Sequence, residues 1–293
     1  MSNSVNLRGA TWMTVSMLGF VVNDALIKKA VDDLELFQAV FIRGIVIVAI
    51  LGVIASSRGD LHNLAQHVHP AIGLRVAMEA ASTCLYLLAL SRLPLASVTA
   101  VLQLVPVAVT FVAARLLRER VSVHRVGAVC FGFIGVLLVV QPGSEAFSPW
   151  YFTAFAAMFT LVTREVATTK VPTTVPTFLL ALTTATVITL MGAIVSAFQG
   201  WAPVEARPVV LLVVAACFLS MAYSASVVAV RVGELSFTAP FRYSLLVFAL
   251  ILQITVFDDV PDMLTFIGTG VVAAAGLYAL SREPRIVAPV SRG

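Results

Sequence analysis

The stretch ARLLRERVSVHRVG, Ala114–Gly127, crowds four arginines and one glutamate into fourteen residues. On both sides of it the chain is apolar over long distances. Hydrophobic residues make up 60% of the 293 and charged residues only 12%, with a mean hydropathy of +1.00. A soluble domain carries about 25% charged residues, so this composition does not supply a water-facing surface. The apolar runs are each about 20 residues long, the length a helix needs to cross ~30 Å of hydrocarbon. Ten such runs are read: 7–28, 34–56, 71–91, 94–116, 122–140, 148–169, 175–197, 208–231, 235–257 and 262–281. The breaks between them are short and leave no room for a soluble catalytic domain. Strand spans would alternate apolar and polar residues, and these runs do not. The predicted fold class is therefore all-α integral membrane. The first run reads as a retained helix rather than a signal peptide, because Asp24 interrupts its end and no small-x-small site follows.

Ten spans put both termini on one side. With the termini in the cytoplasm, thirteen of the 19 basic residues fall on the inner side, among them Arg75, Arg115, Arg118, Arg120, Arg125 and Arg164. Only Lys28, Lys29, Arg92 and Arg207 fall outside, and Arg43 and Arg242 lie within spans. Positive residues concentrate on cytoplasmic loops, so the opening cluster is a cytoplasmic turn between the fourth and fifth helices. The net charge of +4 then reflects topology and gives no reason to expect nucleic acid. The bilayer belongs to the inner, cytoplasmic membrane of a cell.

Shifted by about 140 residues, the chain overlays on itself. Ala89 meets Ala229, Leu95 meets Leu235, Glu119 meets Asp259, and Gly52, Ile54 and Ser56 meet Gly192, Ile194 and Ser196. With one more residue, Gly127 and Gly135 meet Gly268 and Gly276. Two five-helix repeats follow, 1–143 and 144–293, the second inverted because five is odd. The Arg118–Arg120 turn then lies inside, and its counterpart FDDVPDM, Phe257–Met263, lies outside. Inverted repeats enclose a substrate site near the bilayer midplane, so a central cavity is expected.

The segment from Ala89 to Gly143 resembles the end of one repeat of the drug/metabolite transporter superfamily, EamA type. The matching elements are Ala89-Leu90, Ala96-Ser97, Pro106, Glu119, Gly127 and Gly135, with NDALIKK (Asn23–Lys29) and Arg43 upstream. The second half departs from the pattern, since Leu246 stands opposite Pro106 and Asp259 replaces the glutamate. Phe20 stands where the family usually has Trp. The resemblance implies a ten-helix secondary transporter, often an exporter of amino acids or other small metabolites, with no cofactor.

Charge inside a bilayer costs about 2.5–3.5 kcal/mol per residue, so it faces a cavity or a partner. Arg75, Glu79, Ser82 and Tyr86 share one face of the third helix. Thr99, Gln103, Pro106 and Thr110 do the same on the fourth. Two such stripes predict a shared wet path. Glu79 binds a substrate ammonium or takes a coupling proton, or it is tied up in an internal pair with Arg75. Arg242, beside Tyr243, holds a substrate carboxylate or snorkels to headgroups. Arg43 has a favoured structural reading, bonding helix-end carbonyls, against substrate contact. Asp24, near the outer end of the first helix, is expected to pair with Lys28 at i+4, with work at an exit gate as the less favoured reading. Pro106 is the candidate hinge. Phe20, Tyr86, Phe159, Tyr223 and Tyr243 lie deep enough to line an apolar pocket, while Trp12, Trp150, Tyr151 and Trp201 form an interfacial belt. The glycines Gly127, Gly132 and Gly135 allow close helix approach. Cys84, Cys130 and Cys217 read as core residues. His62, His67 and His69 read as a solvated loop rather than a metal site.

No phosphate loop, nucleophile–base set or filter-like segment stands out, which disfavours a pump, an enzyme and a channel. The function expected is export of small amphipathic metabolites by alternating access. Amino acids head that class, aromatic and other bulky apolar ones included. A channel-like or facilitative carrier and a non-transporting partner subunit are the alternatives. The partners expected are a small-molecule substrate and the lipid bilayer, with the chain a monomer or weak homo-oligomer.

Overall fold

A computed structural model describes residues 3–61, 69–105, 108–109, 112, 123–144, 147–168, 170–172, 174–232 and 239–281. The candidate hinge Pro106, Thr110, His62, His67 and the Arg115–Arg120 turn lie outside the described residues. Ten α-helices run through the described residues. They are α1 Asn3–Ala30, α2 Leu36–Ser57, α3 Pro70–Arg92, α4 Leu95–Leu102, α5 Val123–Val140, α6 Trp150–Thr168, α7 Thr177–Gln199, α8 Ala206–Val232, α9 Ser244–Phe257 and α10 Met263–Ser281. A 3-10 turn, Ala239–Tyr243, leads into α9. No strand occurs among the described residues.

Five of these helices, α1, α2, α3, α7 and α8, are long and apolar enough to cross a membrane on the described residues. The apolar parts of α5, α9 and α10 are shorter there, and α6 carries Arg164 and Glu165 within its 19 residues. Local chemistry sets the ends. His69 Nδ1 accepts from the Ala71 N–H at 3.2 Å with Pro70 opening α3, which satisfies a donor that has no partner inside the helix. Asp262 accepts from the Thr265 N–H at 3.1 Å and caps α10 in the same way. Gly200, at φ 97°, stops α7 in backbone space that side chains avoid. Along α7, Thr183, Thr184, Thr186 and Thr189 each donate to the carbonyl four residues earlier, so four hydroxyls enter an apolar helix already satisfied.

The helices pack in a pattern with two-fold character. The main partners are α1 with α8, α3 with α6, α2 with α7, and α5 with α10, followed by α1 with α9, α2 with α8, α4 with α9, α3 with α7, and α4 with α6. Exchanging α1–α5 for α6–α10 turns α1·α8 into α6·α3, α1·α9 into α6·α4, and α2·α8 into α7·α3. It leaves α2·α7, α4·α9 and α5·α10 unchanged. At the α5–α10 crossing, a Cβ on Gly268 would stand 2.5 Å from the Gly135 carbonyl oxygen, and one on Gly135 would stand 2.8 Å from that of Gly268. Only paired glycines permit that approach. Gly127, by contrast, faces open space.

Several expectations are corrected. Tyr151 is buried and donates to the Val139 carbonyl at 3.4 Å, whereas Trp12, Trp150 and Trp201 are exposed as a belt requires. Cys130 and Cys217 are exposed rather than core, and Cys84 is partly buried. Their helices turn those positions outward.

Candidate functional site

A cavity of about 600 Å³ lies at the centre of the bundle. Its wall takes Phe20, Asn23 and Asp24 from α1, Arg43 from α2, and Glu79, Ser82, Thr83 and Tyr86 from α3. Thr99 and Gln103 come from α4 and its end, Arg164 and Glu165 from α6, Tyr223 and Ser226 from α8, and Arg242 from the 3-10 turn. Glu79, Ser82 and Tyr86 of the third-helix stripe thus share one space with Thr99 and Gln103 of the fourth, while Arg75 is not part of its wall. α4 stops at Leu102, and Gln103 stands in the turn that follows. The Gln103 side chain donates to the Arg242 carbonyl at 3.1 Å. Two interrupted helices therefore touch at the cavity wall, where backbone groups released from helical bonding become available to a ligand.

Of the residues singled out from sequence, Phe20, Glu79, Ser82, Tyr86, Thr99, Gln103, Tyr223 and Arg242 line the cavity. Phe159 and Tyr243 do not. Phe159 is 64% exposed on the outside of the bundle. It sits five residues before Arg164, which at 100° per residue turns it about 140° away from the cavity face of α6. Tyr243 is buried, its ring lying over Gly276, where an added Cβ would come within 1.8 Å of it. Phe20 and Tyr223 form an edge-to-face pair with centroids 5.2 Å apart, a geometry the ring quadrupoles favour.

Charge is arranged in two clusters. In the first, Arg164 Nη1 donates to both Glu79 oxygens at 2.8 and 2.9 Å, and its Nη2 pairs with Glu165. Arg75 completes the cluster at 3.5 Å from Glu79, held from behind by bonds to the hydroxyls of Thr168 and Thr184. The i,i+4 pair expected from spacing is present, but the stronger partner is Arg164, which in sequence counts only as one of the inner-side charges near the end of the sixth run. A signal existed. Arg164 stands 140 positions after Asp24 (164 − 24), so the repeat puts it in the same place on α6 that Asp24 holds on α1.

In the second cluster, Asp24 accepts from the Tyr86 hydroxyl at 2.5 Å and from Asn23 Nδ2 at 2.9 Å. Asn23 Oδ1 in turn accepts from Arg43 Nη1 at 3.1 Å. Arg43 therefore bonds a side chain and not helix-end carbonyls. The expected Asp24–Lys28 pair is absent among the described residues. Lys28 Nζ instead donates to the Leu90 and Leu93 carbonyls at 2.6 and 2.5 Å, capping the end of α3. Gln253 does the complementary task at the start of α4, accepting from the Ala96 N–H at 2.8 Å while donating to Asp259 at 3.1 Å. The α3–α4 turn is thus clamped from α1 and from α9, and the bundle is tightly joined at that end. Among the described residues, no cluster of His, Cys, Asp or Glu could hold a metal ion.

The profile of the EamA-like transporter family matches residues 7–141, the first five helices. That match spans just under half of the chain, which is similar to this family over its first five helices. Proteins of known name resemble it over most of its length. The S-adenosylmethionine uptake transporter of Rickettsia prowazekii is 24% identical over 281 residues, covering 95% of this chain and 94% of that one. The riboflavin transporter of Vibrio cholerae is 26% identical over 289 residues, covering 95% of each. The riboflavin transporter of Brucella anthropi is 23% identical over 215 residues, 72% of this chain and 76% of that one. A solved crystal structure shares the fold with a TM-score of 0.65 over 97% of this chain and all of that chain, at 18% identity. The chain is thus an all-α membrane protein similar to proteins named as transporters. These relatives carry the names of S-adenosylmethionine and riboflavin transporters, not of amino-acid exporters.

Proposed function

We propose that the protein is a secondary transporter for amphipathic metabolites that carry a planar aromatic system, working by alternating access of two inverted five-helix halves, 1–143 and 144–293. The observation that carries this reading is the central cavity of about 600 Å³. It combines an aromatic pair, Phe20 and Tyr223, with charged groups at both ends. That volume lies within the ~300–1,000 Å³ of pockets for drug-sized ligands, and the two substrates named for the relatives are of that size and carry fused rings. Free amino acids stay in the class as its smallest members, aromatic ones first. Ser82, Thr99, Gln103 and Arg242 supply polar contacts around the ring site, and the Glu79–Arg164 cluster closes one end.

The clamped α3–α4 turn favours a carrier over a channel, since a channel needs both ends open together. The charge asymmetry of the loops supports cytoplasmic termini in an inner membrane. The turn clamped by Lys28 and Gln253 then faces outward. Net export or uptake follows the gradient that drives the carrier.

The test is purified protein in liposomes, with labelled S-adenosylmethionine, riboflavin and tryptophan offered in turn. A carrier gives saturable flux that is accelerated by unlabelled substrate on the far side. Flux that rises linearly without counter-exchange would make the protein a channel. No flux of any aromatic compound would remove the transport reading. At the site, Tyr223→Ala and Phe20→Ala should each raise the half-saturation concentration about two- to tenfold, the value of an aromatic contact of ~0.5–1.5 kcal/mol.

A further inference from the structure

Arg43 is the only ionisable residue in the 22 residues of α2, and it is 6% exposed. One of its five N–H donors reaches Asn23. Its Nε is buried and makes no hydrogen bond. No bond to Nη2 exists among the described residues either, and no carboxylate forms an ion pair with it there. Its neighbours are already committed. Asn23 spends its oxygen on Arg43 and its amide on Asp24, and Tyr86 takes the other Asp24 oxygen. A buried guanidinium with a vacant donor edge is costly unless something accepts from it. The vacant edge, Nε with Nη2, is the one whose two parallel N–H groups match the two oxygens of a carboxylate. Arg43 is also part of the cavity wall.

We propose that Arg43 anchors a substrate carboxylate, and that the transported class is therefore aromatic compounds ending in an α-amino acid group. This rests on the transport reading above. The α-ammonium of such a group would lie toward Asp24, whose oxygens keep lone pairs beyond the bonds from Asn23 and Tyr86. Glu79 is not available for it, since the guanidiniums of Arg164 and Arg75 already offset its charge, whereas the two donors to Asp24 are neutral. Phe20 stands three residues before Asn23, one helical turn away on the same face. Head and ring sites therefore adjoin. S-Adenosylmethionine and tryptophan have this chemistry, and riboflavin lacks the carboxylate.

The experiment compares matched probes in liposomes holding the full chain: S-adenosylmethionine against its decarboxylated form, tryptophan against tryptamine, and riboflavin alone. In the unaltered protein, removal of the carboxylate should raise half-saturation about ten- to a hundredfold, as loss of a charge-assisted contact does. In Arg43→Gln the acid-to-amine ratio should collapse towards one. In Arg43→Lys, which keeps the charge but not the fork, an intermediate ratio is expected. Should Arg43→Gln not fold, the Arg43→Lys comparison carries the test. Equal handling of acid and amine by the unaltered protein would overturn the proposal, as would a ratio untouched in either variant. Flux of riboflavin alone would overturn the proposal and leave the transport reading standing. No flux of any probe would overturn both.

Discussion

The Glu79 carboxylate sits between two guanidiniums, at 2.8 Å from Arg164 and 3.5 Å from Arg75. Glu79 and Arg164 are 11% and 19% exposed at the side chain, so water does little to screen what remains if one is removed. Breaking a buried pair from one side costs about 3–5 kcal/mol. Glu79→Gln should therefore lower the thermal midpoint in detergent by several degrees and reduce flux. Glu79→Gln combined with Arg164→Gln should recover much of the midpoint, because the cluster then keeps only Arg75 and Glu165 and its net charge returns to zero. A double variant no more stable than the single one would mean that the pair does not bear on folding. Helical spacing made Arg75 and Glu79 legible as neighbours, since three and four residues apart is contact within one helix. It carried no information about Arg164, which arrives from a different helix. The same limit applies to Asp24, whose hydroxyl and amide partners outcompete Lys28 because Lys28 reaches the free carbonyls at the end of α3.

Between helices, two contacts can be tested. The Gly135–Gly268 crossing has no space for a methyl group. Gly268→Ala should cost about 1–3 kcal/mol through overpacking, while Gly127→Ala, in open space, should be neutral or slightly stabilising through helix propensity. Thermal unfolding in detergent compares the two. The clamp on the α3–α4 turn is the second. Lys28→Met with Gln253→Leu removes the caps from α3 and α4. A cysteine at Thr99, in a background without Cys84, Cys130 and Cys217, should then react with an impermeant thiol reagent from that face about tenfold faster. An unchanged rate would show that the clamp does not govern opening. Span positions were readable because each apolar run has the length of a bilayer. The ends of the broken helices were only partly readable. The run from 94 to 116 looks continuous in hydropathy, yet α4 stops at Leu102, and the ninth run begins as a 3-10 turn at Ala239. A proline opposes helical bonding to the carbonyl four residues back, which for Pro106 is that of Leu102, and Pro240 stands in the 3-10 turn, but the apolar residues around them do not show how far each break extends.

For the whole molecule, the shift of about 140 residues was visible in a handful of identities, and the exchange pattern of helix packing has the form such a repeat would produce. The inverted orientation has its own measurement. Single cysteines at Arg118 and Asp259 should label from opposite faces of intact membrane vesicles. Labelling from the same face would remove the two-repeat reading. Substrate chemistry was the least legible level. It depends on which side chains share one space, and Phe159 and Tyr243 were excluded only by the rotation of α6 and by the missing side chain of Gly276.

Asp24 and Arg164 are aligned by the shift of 140 residues, yet one is an acid and the other a base. In a perfectly duplicated carrier the conformations open to either side would have equal energy. On the proposed mechanism the exchange would swap an anion for a cation in surroundings of low dielectric, which would give the empty protein an intrinsic resting side and make a substrate work with or against that bias in each crossing.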